Sequence, residues 1–204
     1  MLLVLLVLVV FVLPVFLKFG DALQIITDIA VALILVAGVV AVAEHRGIAI
    51  ALSIVSLIVV AMRIVEWFVL RDLLPLVRNV SLLLALLLLA TAVGINVFAS
   101  RRGFGDRLFG AIVLYLLLGL IWGVVYATLG THTQGSFAGN PDSAAGLSAW
   151  IYFSFVTLTT VGYGDITPVA MGARSLAILE ALVGQLYPAV IIARLVSLQD
   201  SSTK

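Results

Sequence analysis

Long apolar blocks separated by short polar connections run along most of this 204-residue chain. A helix needs about 20 apolar residues to cross the hydrocarbon core of a bilayer. Six blocks are close to that length or exceed it, and we number them as predicted spans one to six: roughly residues 1–17, 22–43, 48–70, 76–99, 107–129 and 170–197. Span one lacks a basic leader and an obvious cleavage site, so we interpret it as a membrane span and not as a signal peptide. The pattern predicts an all-α membrane protein with six transmembrane helices.

The pattern changes between spans five and six. Residues 130–146 are polar and rich in Gly, Ser and Thr, and we expect a solvated loop there. The apolar stretch 147–158 is too short to cross a bilayer, and a Gly-rich turn follows it. Non-helical backbone at membrane depth occurs only where it is buried in protein or lines a water-filled path. These residues therefore predict a short re-entrant helix followed by a pore loop.

The Gly-rich turn carries Thr160-Val161-Gly162-Tyr163-Gly164, called the TVGYG segment below. A dehydrating K⁺ ion needs oxygen atoms around it, and backbone carbonyls supply them when successive carbonyls point to the same side. This geometry requires some residues in left-handed backbone conformations, which only glycine adopts at little cost. Gly162 and Gly164 alternate with Val161 and Tyr163 at the required spacing, and the Thr160 hydroxyl can add an oxygen at the inner end. One chain supplies only one wall, so four copies must meet around an axis.

With its flanking residues, the TVGYG segment resembles the potassium-channel superfamily, in particular its prokaryotic members with six transmembrane helices. The resemblance covers the pore module, about residues 105–198, and includes Thr157 upstream and Asp165 downstream. It implies a homotetramer that binds K⁺ at residues 160–164 and uses no cofactor or other metal. It also implies an aromatic collar that supports the filter, and Tyr152 and Phe153 stand where many members carry two tryptophans. Four copies of Asp165 at the outer mouth are expected to raise the local cation concentration.

Span six contains Gly184 and, four residues later, Pro188. Glycine destabilises a helix interior by about 1 kcal/mol relative to alanine, and proline removes a backbone hydrogen bond and should kink the helix. The resemblance implies that Gly184 is the hinge of an inner gate, and close packing against the short helix is the alternative with equal weight. We expect Gln185 and Ile192 to share a face near the cavity. Glu180 is an acid inside a span, and we favour a carboxyl that is hydrogen-bonded behind the filter.

Spans one to four resemble the sensor domain of a voltage-gated channel, which we place at residues 1–100, before a pore domain at 101–204. A voltage sensor moves about 3–4 charges per subunit, yet the only basic residue of span four is Arg78. We therefore predict a pore that is not gated by voltage through span four. Four charged residues are interpreted as a static network that anchors this domain: Asp28, Arg63, Glu66 and Arg78.

Basic residues favour one side of the alternating connections, where Arg46, Arg101, Arg102, Arg107 and Arg194 fall. The positive-inside rule places this side in the cytoplasm. We therefore expect an inner-membrane protein with both termini cytoplasmic. Only roughly eight residues follow span six, so we expect gating to come from the pore, from lipid or tension, from pH, or from an unidentified regulatory partner.

The composition of the chain argues against several other classes of function. The chain is 64% hydrophobic and 10% charged, with a mean hydropathy of +1.31, whereas soluble domains carry about 25% charged residues. The net charge of +1 argues against a nucleic acid partner, and no nucleophile–base set supports an enzyme. A single pore loop argues against a transporter. A non-selective cation channel stays an alternative, as does a non-conducting sensor or scaffold, although a scaffold has no need of glycine at alternate positions.

Overall fold

The computed structural model describes residues 2–8, 10, 20–41, 46–68, 75–99, 104–133, 135–139 and 146–202. This part of the chain is mostly helical, with α1 (Leu2–Val7), α2 (Gly20–Ala41), α3 (Arg46–Phe68), α4 (Pro75–Ala99), α5 (Phe104–His132), α6 (Gly146–Leu158) and α7 (Met171–Ser202). Two short strands, β1 (Phe137–Ala138) and β2 (Thr167–Pro168), pair in antiparallel fashion. Within the part of the chain that the structure describes, this ladder departs from the predicted all-α class.

Three helices of the described part are long and apolar enough to cross a membrane, by length and composition: Leu76–Ile95 in α4, Gly105–His132 in α5 and Met171–Arg194 in α7. They correspond to predicted spans four, five and six. Shorter apolar helical segments are found at Ile29–Val40, Ala49–Ala61 and Gly146–Leu158. Much of predicted span one, residues 11–17, lies outside the described residues. The prediction of a multi-pass helical membrane protein is confirmed by these three helices.

The chain divides into two compact units, Met1–Val93 and Gly94–Lys204, and the division falls inside α4. In the first unit, Leu35 of α2, Val59 of α3 and Ala85 of α4 form a buried cluster. Partly buried Val31 and Val55 pack against it. Val31 precedes Leu35 in α2 by four residues, and Val55 precedes Val59 in α3 by four residues. Each valine therefore lies on the same face of its helix as its buried neighbour.

The four charged residues predicted to anchor the first unit lie mostly outside the described part of the structure. The side chains of Asp28, Arg63 and Glu66 are not described. The Arg78 guanidinium donates a hydrogen bond to Asn79 Oδ1 at 3.4 Å, and the backbone carbonyl of Arg78 accepts one from the Ser81 hydroxyl at 2.9 Å. The charge network therefore stays a prediction.

In the second unit, two glycines of α5 allow α6 to approach closely. A Cβ built on Gly119 would come within 2.5 Å of the Phe155 ring, and a Cβ on Gly123 within 3.0 Å of the Ile151 Cα. Small residues four apart on an apolar helix form a flat face that lets a second helix pack against the backbone. The short helix before the TVGYG segment is thereby held against a membrane-spanning helix.

An aromatic cluster connects α5, α6 and the strands. Tyr126, Phe153 and Ile166 are buried in it. The Phe153 ring meets Tyr126 edge-on at 4.9 Å and Phe137 edge-on at 5.5 Å between centroids. Aromatic pairs favour such edge-to-face geometry. The cluster fixes the residues just after the TVGYG segment relative to the helix that precedes it.

The segment predicted as a solvated loop, residues 130–146, is partly structured. Helix α5 continues to His132, and Ser136 is buried, with its carbonyl accepting a hydrogen bond from the Val169 amide at 2.8 Å. Strand β1 follows directly and pairs with β2. The solvated-loop prediction is wrong for residues 130–132 and 136–138, because a polar composition does not reveal that backbone pairing and Phe137 anchor the segment. Residues 140–145 lie outside the described part.

Candidate functional site

The C-terminal end of α6 leads directly into the TVGYG segment. The Thr160 amide donates to the Thr157 carbonyl at 2.9 Å, and the Val161 amide donates to the Val156 carbonyl at 2.9 Å. The last carbonyls of a helix have no hydrogen-bond partner within the helix. Here the amides of Thr160 and Val161 donate to two of these carbonyls. Thr157, a predicted support residue, thus holds the segment through its backbone carbonyl.

The backbone of the TVGYG segment alternates in handedness. The φ angles of Thr160, Gly162 and Gly164 are +59°, +59° and +82°. Among the described residues Thr160 alone combines a side chain with a positive φ. Such a conformation costs on the order of 1–3 kcal/mol for a non-glycine residue and persists only where its surroundings enforce it. The two glycine positions follow the predicted alternation, whereas the conformation of Thr160 was not predicted.

The TVGYG segment faces space that this one chain does not fill. Val161 is 52% and Tyr163 71% exposed. A Cβ built on Gly162 or Gly164 would meet nothing within 4 Å. Crowding within the single chain therefore does not explain these glycines. Their positive φ angles do, since L-residues with a side chain rarely adopt that conformation.

Tyr152 of α6 contacts two of the predicted site residues. Its ring stacks on Tyr163, with centroids 6.5 Å apart and an interplanar angle of 5°. A hydrogen bond from the Tyr152 hydroxyl lowers the pKa of the Asp165 carboxyl below its usual value. The Ile166 amide adds a hydrogen bond to Asp165 Oδ1 at 3.0 Å. Phe153, the second predicted collar residue, instead packs within the aromatic cluster.

Gly184 of α7 packs directly against the end of α6. A Cβ built on Gly184 would overlap the carbonyl oxygen of Leu158, the last residue of α6. Glycine is therefore required here for close packing, the alternative given equal weight from the sequence. Pro188 lies inside α7, which is helical on both sides of it, and Ile192 is exposed. The hinge at Gly184, the bend at Pro188 and the cavity role of Ile192 stay predictions.

The Gln185 side chain, predicted near the cavity, reaches the TVGYG segment. Its Nε2 atom donates a hydrogen bond to the Thr160 hydroxyl at 3.0 Å. Both side chains are exposed within the single chain. The structure thus brings together a residue of α7 and the first residue of the TVGYG segment, a contact that the sequence did not predict.

Glu180 of α7 is fully buried and connects three helices. The Tyr126 hydroxyl of α5 donates to Glu180 Oε2 at 2.7 Å. The Ser154 oxygen of α6 lies 2.5 Å from Glu180 Oε1 and 2.7 Å from the Gly119 carbonyl oxygen. A buried polar network of this kind rigidifies the elements that it joins when its members are satisfied. The sequence predicted a hydrogen-bonded carboxyl but none of its partners.

Comparison with known proteins identifies relatives of this second unit. The family model described as "Ion channel" matches residues 111–199. Protein LctB of Bacillus caldotenax is 38% identical over 107 residues, which cover 50% of this chain and 79% of that protein. Protein LctB of Geobacillus stearothermophilus is 40% identical over 106 residues, covering 50% and 78%. The two pore potassium channel c of Oryza sativa subsp. japonica is 35% identical over 91 residues, covering 43% of this chain and 19% of that protein. The residues matched by the family model include α6, the TVGYG segment and most of α7.

Proposed function

Since this chain belongs to the ion channel family, we propose that it is a potassium-selective channel in which four identical copies surround one conduction path. The proposed ion ligands are the backbone carbonyls of Thr160, Val161, Gly162, Tyr163 and Gly164, together with the Thr160 hydroxyl. Rings of carbonyl oxygens replace the hydration shell of K⁺ in such filters. Asp165 is the proposed outer-mouth residue that attracts cations, and Tyr152, Phe153 and Thr157 are the residues proposed to support the filter.

One observation carries the proposal: positive φ angles recur at Thr160, Gly162 and Gly164. A strand of uniform handedness alternates the direction of its carbonyls, whereas alternating handedness turns successive carbonyls to one side. The name of one relative, the two pore potassium channel c, favours K⁺ as the permeant ion.

The exposure of α7 supports assembly of several copies. Within one chain, 17% of the most apolar stretch of α7 is buried, against 56% of the corresponding stretch of α5. Four large apolar side chains of α7 recur at every fourth residue and are more than half exposed: Ile178, Leu182, Leu186 and Val190. Residues with this spacing share one helix face. We propose that neighbouring copies in a homotetramer and membrane lipid cover this apolar surface.

The proposed topology has six spans, with both termini on the cytoplasmic side of an inner membrane. Helices α2 and α3 contain 22 and 23 residues, long enough to cross a bilayer. Arg78 is the only basic residue of α4, too few charges for a steep voltage sensor. We therefore propose a channel that α4 does not gate by voltage, and that responds to lipid, tension, pH or a regulatory protein.

The experiment that tests this function is a reversal potential in planar bilayers containing the purified full-length protein. Potassium bathes one side and sodium the other, and the current is recorded at several holding voltages. We expect a reversal close to the potassium equilibrium value and an open fraction that changes little with voltage. A reversal near zero would identify a non-selective cation pore, and assembled protein without current would support the sensor or scaffold alternative.

A pair of glycine variants serves as the internal control. Gly162→Ala places a side chain on a residue with φ +59°, so we expect selectivity to be lost. Gly172→Ala adds a Cβ that meets nothing within 4 Å at the start of α7, so we expect wild-type behaviour. Equal effects of the two substitutions would contradict the proposed role of the TVGYG backbone.

A further inference from the structure

Gln185 of α7 makes a side-chain hydrogen bond to the TVGYG segment, with its Nε2 donating to the Thr160 hydroxyl at 3.0 Å. The two residues are 25 positions apart in sequence. The preceding residue, Gly184, has its backbone against the Leu158 carbonyl at the end of α6. Because this packing brings the α7 backbone to the base of the segment, a side chain of glutamine length can reach Thr160.

Thr160 needs such a partner because its backbone conformation is strained. Its φ of +59° lies in the left-handed region, which a β-branched residue rarely occupies. The Thr160 amide is held by the Thr157 carbonyl at 2.9 Å. Gln185 fixes the side chain in turn. Backbone and hydroxyl of Thr160 are thus constrained from two different helices.

The direction of the Gln185 hydrogen bond determines how the Thr160 hydroxyl can act. A hydroxyl has one proton and two acceptor lone pairs. The Gln185 N–H occupies one lone pair and leaves the second lone pair for a cation. A methionine of similar length gives no such bond, and the hydroxyl is then free to rotate. The amide therefore keeps an oxygen, and not a hydrogen, available to an ion.

We propose that Gln185 is a specificity-determining residue, whose amide fixes the Thr160 hydroxyl as the innermost oxygen ligand for a dehydrated monovalent cation. The inference rests on the proposed function, since it needs ions to pass the TVGYG segment. In the tetramer four Gln185 amides form a ring at the inner end of the segment. Their carbonyl oxygens add polar groups where an ion exchanges cavity water for protein ligands.

The test compares wild type, Gln185→Met and Gln185→Asn in planar bilayers, with K⁺ and Na⁺ on opposite sides. Methionine removes the hydrogen bond at nearly constant length, and asparagine stays polar but is one methylene too short. One hydrogen bond corresponds to roughly a three- to tenfold change in an equilibrium constant. We expect both variants to lower the K⁺/Na⁺ permeability ratio by roughly that factor while still forming tetramers.

Two further variants separate this role from general damage. In a Thr160→Val background the hydroxyl is absent, so Gln185→Met should have no additional effect on the permeability ratio. The control is Thr159→Val, because the Thr159 hydroxyl donates to the Phe155 carbonyl at 2.6 Å and not to Gln185. In that background we expect the full effect of Gln185→Met to remain.

The outcomes distinguish this inference from the proposed function. A non-selective wild type would overturn the proposed function itself. A selective wild type whose Gln185 variants keep the same permeability ratio would overturn the role of Gln185 alone. If both Gln185 variants fail to assemble while Thr159→Val assembles normally, Gln185 is a structural residue and the specificity role is rejected.

Discussion

Gly184 of α7 lies so close to the Leu158 carbonyl of α6 that no Cβ fits between them. The neighbouring atom belongs to the backbone, so it cannot rotate away from an added methyl group. Any displacement of Leu158 would pass directly to Thr159 and Thr160, whose amides are bonded to the last turn of α6. The contact therefore connects the position of α7 with the geometry of the TVGYG segment.

We expect Gly184→Ala to reduce K⁺ selectivity and to destabilise the protein. Overpacking a close contact costs about 1–3 kcal/mol, more than the helix propensity gained by replacing glycine. The measurements are the reversal potential between K⁺ and Na⁺ and the melting temperature of the purified tetramer. Gly172→Ala, which meets nothing within 4 Å, is the matched control. A Gly184→Ala channel with wild-type selectivity and altered opening alone would show that Gly184 acts as a hinge.

The hydrogen bond between Tyr152 and Asp165 predicts a pH-dependent stability. It lowers the pKa of Asp165 in the folded state, whereas the unfolded carboxyl titrates near pH 3.9. The bond therefore stabilises the folded state fully above the unfolded pKa, and this stability is lost as pH falls through the folded-state pKa. We expect Tyr152→Phe to lower the melting temperature at neutral pH, and the difference from wild type to shrink in acid.

The double variant isolates the Asp165 contribution from stacking. Phenylalanine keeps the ring that stacks on Tyr163 and removes only the hydroxyl. In an Asp165→Asn background the pH dependence of the Tyr152→Phe effect should disappear, because no titrating carboxyl remains. A Tyr152→Phe effect of equal size at every pH would mean that the hydroxyl acts independently of Asp165.

A site residue can be predicted from the sequence when its role depends on its own backbone conformation. It cannot be predicted in this way when its role depends on contacts with distant residues. Gly162 and Gly164 could be assigned from the sequence because a positive φ selects glycine. Thr160 has a positive φ too, yet threonine gives no local signal for it. The contacts of Thr160 come from the end of α6 and from Gln185, which is 25 residues away.

The membrane-spanning helices likewise have a local signal, whereas the contacts between helices do not. Hydropathy alone predicted α4, α5 and α7 as membrane-spanning helices, because a bilayer requires long apolar runs whatever their neighbours. The contact between Tyr126 and Glu180 joins residues 54 positions apart, and no spacing within either helix encodes it. The close approach of α6 to α5 has a local signal in the sequence, the Gly119 and Gly123 pair four residues apart.

That glycine pair yields a packing prediction. A Cβ on Gly123 would stand 3.0 Å from the Ile151 Cα and 3.2 Å from its backbone nitrogen, so Gly123→Ala should push α6 away from α5. We expect a lower melting temperature, consistent with about 1–3 kcal/mol of overpacking. Gly105→Ala on the same helix meets nothing within 4 Å and should be neutral. If Gly123→Ala is as stable as Gly105→Ala, the two helices do not pack this closely.

The hydrogen-bond geometry around Glu180 predicts that its carboxyl group is protonated. The Ser154 hydroxyl has one proton, yet its oxygen lies 2.7 Å from the Gly119 carbonyl and 2.5 Å from Glu180 Oε1. Unless Ser154 shares its one proton between both acceptors, Ser154 donates to Gly119 and a protonated Glu180 donates to Ser154. We expect infrared spectra at neutral pH to show a protonated-carboxyl band that Glu180→Gln removes.

Glutamine can still donate to Ser154 and accept from Tyr126, so the Glu180→Gln variant should fold normally. Glu180→Ala instead leaves buried groups unpaired, which costs about 1–3 kcal/mol each. Spectra in which Glu180→Gln removes only an ionised-carboxylate band would show instead that Ser154 donates to a charged Glu180.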